Sequence, residues 1–431
     1  MYRKINALLM KWKNNPRRKP LILKGARQVG KTYSVLTFGR EQYANVAYFN
    51  FETTPNLAKT FDESIMPDYL IPVLSRLSRQ TIIKGKTLIV FDEVQCCERA
   101  LASLKYFCES APDYHIVAVG SQVGATVNRE NFSFLTDKVD TVTLFPMDME
   151  EFLLALGEKK LITQIRKCFE TYRPMPLALH EAAMLYFRQY LIVGGMPGCV
   201  EKYIETKDLI LVRHIQELIL ESYSDNIRKY NKESESKKIK LCYNNIIEQL
   251  SKKNTRFQYK LIKKGARSSE FESAVDWLTF SGYVTRVFRA ERPIWPLGSY
   301  RDVNYFKIYV SDTGLLCAKK EIAAEDVLYQ SAGPDYFKSG LTENYVCGQL
   351  TARGSACYYW MSSRGAEVDF IIRREGRIIP VEVKSADNTK AKSLDVYIKS
   401  FKPPYAIKLS VKNFGFENGK LTVPLYAAFC I

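Results

Sequence analysis

The 431-residue chain is long enough for roughly two to four domains. A formal net charge of +17 and a pI near 9.2 indicate either a polyanionic partner, with nucleic acid first and an anionic membrane second, or a generally basic surface. No apolar run is long enough to span a bilayer, and the first residues lack the apolar core of a signal peptide. We therefore expect a cytoplasmic protein with nucleic acid, rather than a membrane, as its partner.

One stretch near the start of the chain fits the Gly-x-x-x-x-Gly-Lys-Ser/Thr pattern of a phosphate-binding loop. An apolar run, Leu21–Leu23, precedes it and a helix-favouring segment, residues 33–42, follows it. The predicted nucleotide contacts are Gly25, Ala26, Arg27, Gln28, Val29, Gly30, Lys31 and Thr32. The glycines let backbone N–H groups turn toward phosphates, the lysine reaches the β- and γ-phosphates, and the threonine hydroxyl binds Mg²⁺. The sequence thus predicts binding of ATP with Mg²⁺.

A second signal is the apolar run from Thr87 to Phe91, which ends in the carboxylates Asp92 and Glu93. Such a run is typical of a strand buried in a parallel sheet, and ligands bind beyond the carboxyl ends of such strands. We assign Asp92 to Mg²⁺ and Glu93 to the attacking water. The chain is therefore predicted to be an ATPase.

The next predicted strand, His115–Gly120, ends in the polar pair Ser121-Gln122. This pair either reaches the γ-phosphate or forms a turn, and the sequence leaves both interpretations open. A strand is also predicted from Val46 to Phe51, so the strand predicted from Asp140 to Phe145 is the fifth; a proline and an amphipathic segment, residues 149–156, follow it.

These motifs, together with Phe145-Pro146, Glu151-Phe152 and Gly194-Gly195-Met196-Pro197, resemble the bacterial and archaeal AAA+ ATPases that carry an AAA_14-type domain and a C-terminal DUF4143 domain. The resemblance covers essentially the whole chain. It implies a parallel α/β sheet in the order 5-1-4-3-2, with the Ser121 strand between those that carry the loop and Asp92. Many relatives have an arginine shortly before the fifth strand, where residues 135–138 here read Leu-Thr-Asp-Lys. Arg129 is the nearest substitute for an arginine finger, and a homo-oligomer stays an open question.

The middle of the chain is predicted to be helical and then strongly basic. Amphipathic stretches at His180–Ile192 and Leu209–Tyr223 indicate the helical lid of an AAA+ protein. Residues 226–267 are the most basic part, and a helix (Ser269–Phe280) and a strand pair follow them. This order is typical of a winged helix, which either contacts DNA or packs on the lid.

The C-terminal hundred residues contain a hairpin with a second chemical pattern. Glu382 and Lys384 are two residues apart on its return strand, so they share a face, and the hairpin brings Asp369 beside them. A helix upstream adds Glu343. Two carboxylates, Asp369 and Glu382, can hold Mg²⁺ while a lysine activates water. The set resembles the PD-(D/E)xK nucleases and implies a restriction-endonuclease-like α/β fold, although folds of this type often only bind.

The sequence therefore predicts an ATPase core (residues 1–157), a helical lid (158–225), a winged-helix-like domain (226–318) and a nuclease-like DUF4143 domain (319–431). Our leading hypothesis is an ATPase that gates a nuclease-like, DNA-binding domain. The alternatives are an ATP-switched regulator whose nuclease-like domain is inactive, and an AAA+ protein remodeller without nucleic acid.

Overall fold

A computed structural model describes residues 1–121, 137–250, 256–329, 335–385 and 392–431, except for the side chains of residues 335–338. The chain divides into two compact units. The first comprises Met1–Phe145 and Phe280–Gly282, and the second comprises Pro146–Thr279 and Tyr283–Ile431. Among the described helices, none is both long and apolar enough to cross a membrane.

Within the described residues, a parallel sheet of five strands forms the centre of the first unit. The strands are β1 (Leu21–Lys24), β2 (Asn45–Asn50), β3 (Thr87–Asp92), β4 (His115–Gly120) and β5 (Asp140–Thr143). Their order is β5-β1-β4-β3-β2, so the order implied by the family resemblance is confirmed. The predicted strands agree with the observed bounds to within one or two residues.

The strands β3 and β4 of this sheet are buried at every position, as expected for strands covered on both faces. The described helices of the first unit are Ile5–Lys13, Lys31–Gln42, Leu57–Glu63, Pro67–Ser78 and Glu98–Ser110. Edge-to-face phenylalanine pairs, with ring centroids 5.5 to 6.1 Å apart, pack beside the carboxyl ends of β2 and β3; they involve Phe49, Phe51, Phe61 and Phe91. This packing fixes the strand end that carries Asp92.

After Phe145 the chain is mainly helical up to the start of the second sheet at Val284, and further helices lie between the strands of that sheet. The described helices after Phe145 are Met149–Ala155, Lys159–Thr171, Leu177–Val193, Pro197–Thr206, Leu209–Tyr230, Glu233–Leu250, Ser268–Phe280, Thr313–Lys319, Ala324–Leu328, Asp335–Ala352 and Lys392–Phe401. The helix Leu177–Val193 contains the predicted stretch His180–Ile192 and stops at Gly194, whose φ is 74°. The backbone N–H of Gly195 donates to buried Asp312 at 2.6 Å. Asp312 thereby ties the glycine pair to the helix Thr313–Lys319, which it caps through Leu315.

A mixed sheet lies in the second unit, and its described part has eight strands. They are β6 (Val284–Ala290), β7 (Arg301–Val310), β8 (Tyr358–Met361), β9 (Glu367–Arg374), β10 (Arg377–Val383), β11 (Ala406–Ser410), β12 (Gly415–Glu417) and β13 (Lys420–Pro424). Their order is β12-β13-β11-β10-β9-β8-β6-β7. The predicted hairpin is the antiparallel pair β9 and β10.

The strands that the sequence assigns to a two-stranded wing belong to this larger sheet. β6 pairs with β7 on one side and, through Phe288 and Arg289, with β8 on the other. A two-stranded wing would leave one edge of β6 to be hydrated, whereas β8 satisfies the backbone groups at these positions. The predicted division at residue 318 therefore falls between strands of a single sheet, and the winged-helix prediction is not confirmed.

Candidate functional site

The phosphate-binding loop connects β1 to the helix Lys31–Gln42, as its pattern predicts. A Cβ atom at Gly25 would lie 2.2 Å from the carbonyl oxygen of Leu144, so any side chain there collides with the backbone. Gly30 has a φ of 88° and immediately precedes the helix. The backbone path thus requires both glycines, and the first helical turn leaves N–H groups for an anion.

Lys31 is buried, and its ammonium donates to the backbone of its own loop. Nζ lies 3.0 Å from the carbonyl oxygen of Gly25 and 2.8 Å from that of Ala26. Burial lowers the pKa of Lys31 to about 8, although the charges of Glu93 and Asp92 oppose this shift. The lysine is therefore held over the loop with a proton that it can lose in mildly alkaline solution.

Asp92, at the end of β3, is the centre of a hydrogen-bond network. The Thr32 hydroxyl lies 3.1 and 3.0 Å from its two carboxylate oxygens. Tyr48 donates to Oδ2 at 2.7 Å, Asn50 donates to the same oxygen at 3.4 Å, and the backbone N–H of Glu93 donates to Oδ1 at 3.0 Å. A hydroxyl beside a carboxylate next to a phosphate loop is the oxygen pair that Mg²⁺ takes with ATP. The residues present therefore fit Mg²⁺ and ATP.

Sequence reasoning missed Tyr48 and Asn50. They are two residues apart on β2, so they share one face of the strand. A polar pair at the carboxyl end of a strand next to β3 was the signal that could have identified them.

Glu93 adopts a left-handed backbone conformation, with a φ of 49°. Burial raises its pKa, and both a hydrogen bond from Gln95 at 2.5 Å and the positive charge of Lys31 oppose that rise. A carboxylate with a raised pKa is a stronger base, which suits the predicted role of Glu93 in activating water.

The polar residue Ser121 is buried directly after β4, the strand between β1 and β3. It thus lies at the same edge of the sheet as the phosphate loop and Asp92. Its predicted partner Gln122 and the candidate finger Arg129 lie outside the described residues.

Arg3 is a residue of this site that sequence reasoning missed. Its guanidinium donates to the carbonyl oxygen of Val29, within the phosphate loop, at 2.9 Å. It also donates to the carbonyl oxygen of Phe145 at 2.7 Å and is 5% exposed. The start of the chain therefore fastens the loop to the segment after β5. An isolated arginine beside a short amphipathic helix carries no pattern from which this role could be predicted.

The four residues predicted for the nuclease-like site lie on neighbouring elements of the second unit. Asp369 is on β9 and Glu382 is on β10, while Glu343 is on the helix Asp335–Ala352. The ammonium of Lys384 lies 2.6 Å from Glu382 Oε1, which agrees with their predicted shared face. Asp369 Oδ2 accepts from the backbone N–H of Val383 at 2.8 Å, so the β9–β10 pairing fixes its position.

Lys307, on β7, is a further member of this site that the sequence did not indicate. It is 1% exposed, and its Nζ lies 3.4 Å from Glu343, 2.6 Å from Glu367 and 3.8 Å from Asp369. We call Glu343, Glu367, Asp369 and Glu382 the acidic cluster. The sequence signal that could have identified Lys307 is its position within the otherwise apolar run 306–310.

The pKa values in the acidic cluster follow from burial and from its own charges. Burial and the charges of Glu382 and Glu343 raise the pKa of Asp369 well above its ordinary value. Burial likewise raises the pKa of Glu382, although Lys384 opposes this. Burial lowers the pKa of Lys307, but the carboxylates around it outweigh that effect and the net shift is upward. Lys307 is therefore charged at neutral pH.

The acidic cluster does not fit a divalent metal. Among the described residues, no group of three or more His, Cys, Asp and Glu side chains is arranged to hold a metal ion. The ammonium of Lys307 lies among the carboxylates that would have to supply the ligands. Asp369 and Glu382, the residues expected to bind Mg²⁺, lie on neighbouring strands, but the ammonium of Lys307 lies beside Asp369.

Three stretches of the chain match known domain families. Residues 17–153 match AAA_14, described as an AAA domain. The chain contains an AAA-type P-loop ATPase domain. Residues 184–326 match DUF8612 and residues 338–428 match DUF4143, both domains of unknown function, so the AAA_14 and DUF4143 predictions are confirmed. No curated protein has a significantly similar sequence.

Several solved structures align with this AAA-domain protein at low identity. A Walker-type ATPase of Pyrococcus abyssi is 15% identical, the alignment covers 74% of this chain and 95% of that one, and the TM-score is 0.45. The ORC2 protein of Aeropyrum pernix, in ADPNP–ADP complexes, is 12% identical over 78% and 92% of the two chains, with a TM-score of 0.37. The ORC1 protein of Aeropyrum pernix in complex with DNA is 12% identical over 76% and 91%, with a TM-score of 0.28. At such scores the likeness carries no conclusion about ligands.

Proposed function

We propose that this protein is an ATP-driven switch whose first unit binds and hydrolyses ATP with Mg²⁺ and whose second unit holds DNA without cutting it. The contact between the Thr32 hydroxyl and Asp92 carries the first part of the proposal. Both oxygen types suit Mg²⁺, they lie beside the phosphate loop, and the half-buried Glu93, whose pKa burial raises, directly follows Asp92.

The roles of the residues follow from their positions. Lys31 and the N–H groups of the loop stabilise negative charge on the bound phosphates, and burial strengthens these interactions. Thr32 and Asp92 would hold Mg²⁺, which supplies positive charge to the transferring phosphoryl group. Glu93 accepts a proton from the attacking water, and Ser121 contacts the terminal phosphate.

Binding and hydrolysis can be separated by two variants measured beside the wild-type protein. We expect Lys31→Ala to abolish ATP binding, because it removes the charge over the loop. We expect Glu93→Gln to bind ATP normally while hydrolysis falls by about 10²- to 10⁴-fold, the usual worth of a general base. Hydrolysis that survives Lys31→Ala, or a Glu93→Gln variant that hydrolyses ATP at the wild-type rate, would overturn the assignment.

The charge of the chain supports DNA as the partner. The net charge is +17, and the segment 226–267 is its most basic part. In the described part of this segment, ion pairs join Lys237 to Glu233 at 2.6 Å, Lys238 to Glu235 at 2.9 Å, and Lys263 to Glu270 at 2.6 Å. These pairs are exposed or half-exposed, so exchanging the carboxylate for a phosphate costs little.

Salt dependence is the test of the DNA contact. We expect binding of labelled duplex DNA to weaken steeply as salt rises, since each neutralised phosphate adds nearly one unit to the log–log slope. Comparing ATP-bound Glu93→Gln with nucleotide-free protein tests the switch, because a switch requires different DNA affinities in the two states. If the protein does not bind DNA at low salt, the DNA part of the proposal is overturned and the protein-remodelling hypothesis remains.

The gated nuclease is the second candidate, and the proximity of Asp369, Glu382 and Lys384 favours it. Its test is cleavage of labelled DNA and RNA with Mg²⁺ or Mn²⁺, with and without ATP. Cleavage that disappears in Asp369→Ala and requires Lys31 would establish this candidate and overturn the non-cutting part of our proposal.

A further inference from the structure

The ammonium of Lys307 lies among three carboxylates inside the second unit. Its Nζ is 2.6 Å from Glu367, 3.4 Å from Glu343 and 3.8 Å from Asp369. The side chain is 1% exposed and also lies over the ring of Tyr359, at 5.5 Å from the centroid. The carboxylates and the aromatic face all stabilise a positive charge at this point.

The backbone around Lys307 holds the ammonium in this place. The side-chain amide of Asn344 accepts from the N–H of Val310 at 2.7 Å and donates to its carbonyl oxygen at 2.9 Å. These bonds join β7 to the helix Asp335–Ala352, which also carries Glu343. The hydroxyl of Tyr309 donates to Glu343 Oε2 at 3.0 Å. A strand and a helix that are joined in this way fix the lysine against its carboxylate partners.

The oxygens of the acidic cluster are mostly occupied by these contacts. Asp369 Oδ2 accepts from the N–H of Val383, and Glu382 Oε1 accepts from Lys384. Glu382 Oε2 is buried without a hydrogen-bond partner. A divalent cation such as Mg²⁺ would have to displace the ammonium of Lys307 from these carboxylates, because the two positive charges repel each other at this distance.

We infer that Lys307 permanently takes the place of a divalent cation in the acidic cluster, so that the intact protein binds no metal there and the DUF4143 part of the chain is a binding module. The inference deepens the non-cutting part of the proposed function. The inference does not depend on the ATPase assignment, so an experiment can overturn one of these two claims and leave the other intact. It also gives the carboxylates around Lys307 a role at a site without a metal, because they compensate its buried positive charge.

The test is a titration of nucleotide-free full-length protein with Mn²⁺, followed by electron paramagnetic resonance of the free ion. All variants carry Asp92→Asn, so that the phosphate-loop site does not contribute. We expect no saturable binding while Lys307 is present. We expect Lys307→Met to bind one Mn²⁺ saturably, because the repelling charge is gone and the carboxylates have lost their ammonium partner. Mn²⁺ should then also raise the unfolding temperature of that variant.

Two control variants identify the site. Lys399→Met removes an exposed positive charge of the same unit and should gain no Mn²⁺. Adding Glu382→Gln to Lys307→Met should abolish the gained binding. A folded Lys307→Met protein that binds no Mn²⁺ overturns the inference. If Lys307→Met does not fold, the test uses the protein that retains Lys307. Saturable Mn²⁺ binding that Glu382→Gln removes would then overturn the inference, and the absence of saturable binding would support it.

Discussion

The hydroxyl of Thr32 contacts both carboxylate oxygens of Asp92, at 3.1 and 3.0 Å, although 60 residues separate the two in sequence. Asp92→Asn keeps the size of the side chain but removes its charge. We expect ATP affinity with Mg²⁺ to fall about tenfold or more, and affinity without Mg²⁺ to change little, because only the metal needs the carboxylate. Calorimetric titration with and without Mg²⁺ measures both values.

The matched control is Asp113→Asn, which neutralises an exposed carboxylate of the same unit and should leave both affinities unchanged. Equal losses of affinity with and without Mg²⁺ in Asp92→Asn would instead mean that this carboxylate supports the fold of the loop.

The lowered pKa of Lys31 predicts that ATP binding depends on pH. Below pH 8 the lysine already carries its proton, so affinity should be constant. Above pH 8 the free protein must take up a proton to bind phosphate, and affinity should fall by up to about tenfold per pH unit. Lys31→Arg remains charged throughout, so its affinity should not decline. A wild-type affinity that is constant up to about pH 9.5 contradicts this prediction.

The close approach of Gly25 to Leu144 predicts the effect of a single methyl group. Gly25→Ala places Cβ against the Leu144 carbonyl oxygen, at 2.2 Å before relaxation. We expect it to cost about 1–3 kcal/mol of stability, as overpacking does, and to abolish ATP binding. Urea unfolding and ATP titration measure these effects. Gly348→Ala is the control: its Cβ meets nothing within 4 Å, so this helix substitution should stabilise the protein by up to about 1 kcal/mol.

The contacts of Arg3 predict that a residue outside the phosphate loop controls its order. Arg3→Met should lower both the stability of the first unit, by about 1.5–3 kcal/mol, and the affinity for ATP, because the carbonyl groups of Val29 and Phe145 lose a charged donor. Hydrogen exchange of the loop amides, followed by mass spectrometry, should show faster exchange. Lys11→Met, at an exposed position of the adjacent helix, serves as the control. Identical behaviour of the two variants would show that Arg3 contributes only its charge.

The first unit could be predicted from the sequence because its chemistry is local. Glycines at fixed spacing and an apolar run ending in two carboxylates lie within short stretches, and the family resemblance supplied the strand order. Arg3 could not be predicted, since its contacts are with carbonyl groups 26 and 142 residues away and any residue type has a carbonyl group. Tyr48 was missed because its hydroxyl matters only through the neighbouring strand.

The second unit was less predictable because its sheet joins distant segments. The β9–β10 hairpin was predicted because a short turn connects its strands, and it brought Asp369 near Glu382. The pairing of β6 with β8 has no such local signal, so β6 and β7 were interpreted as a wing. Lys307 on β7 was missed for the same reason, and with it the cation inside the acidic cluster.

The strand order of the second unit has a consequence for the newly made chain. During synthesis β6 and β7 leave the ribosome well before β8, which covers the other edge of β6. Until then that edge can pair with a strand of another nascent chain. Arg286 and Arg289 lie on β6, but each is paired with an aspartate that is translated before β8, Asp276 at 2.6 Å and Asp302 at 2.5 Å. The edge of β6 is therefore open to such pairing from the moment β7 is made until β8 has been translated.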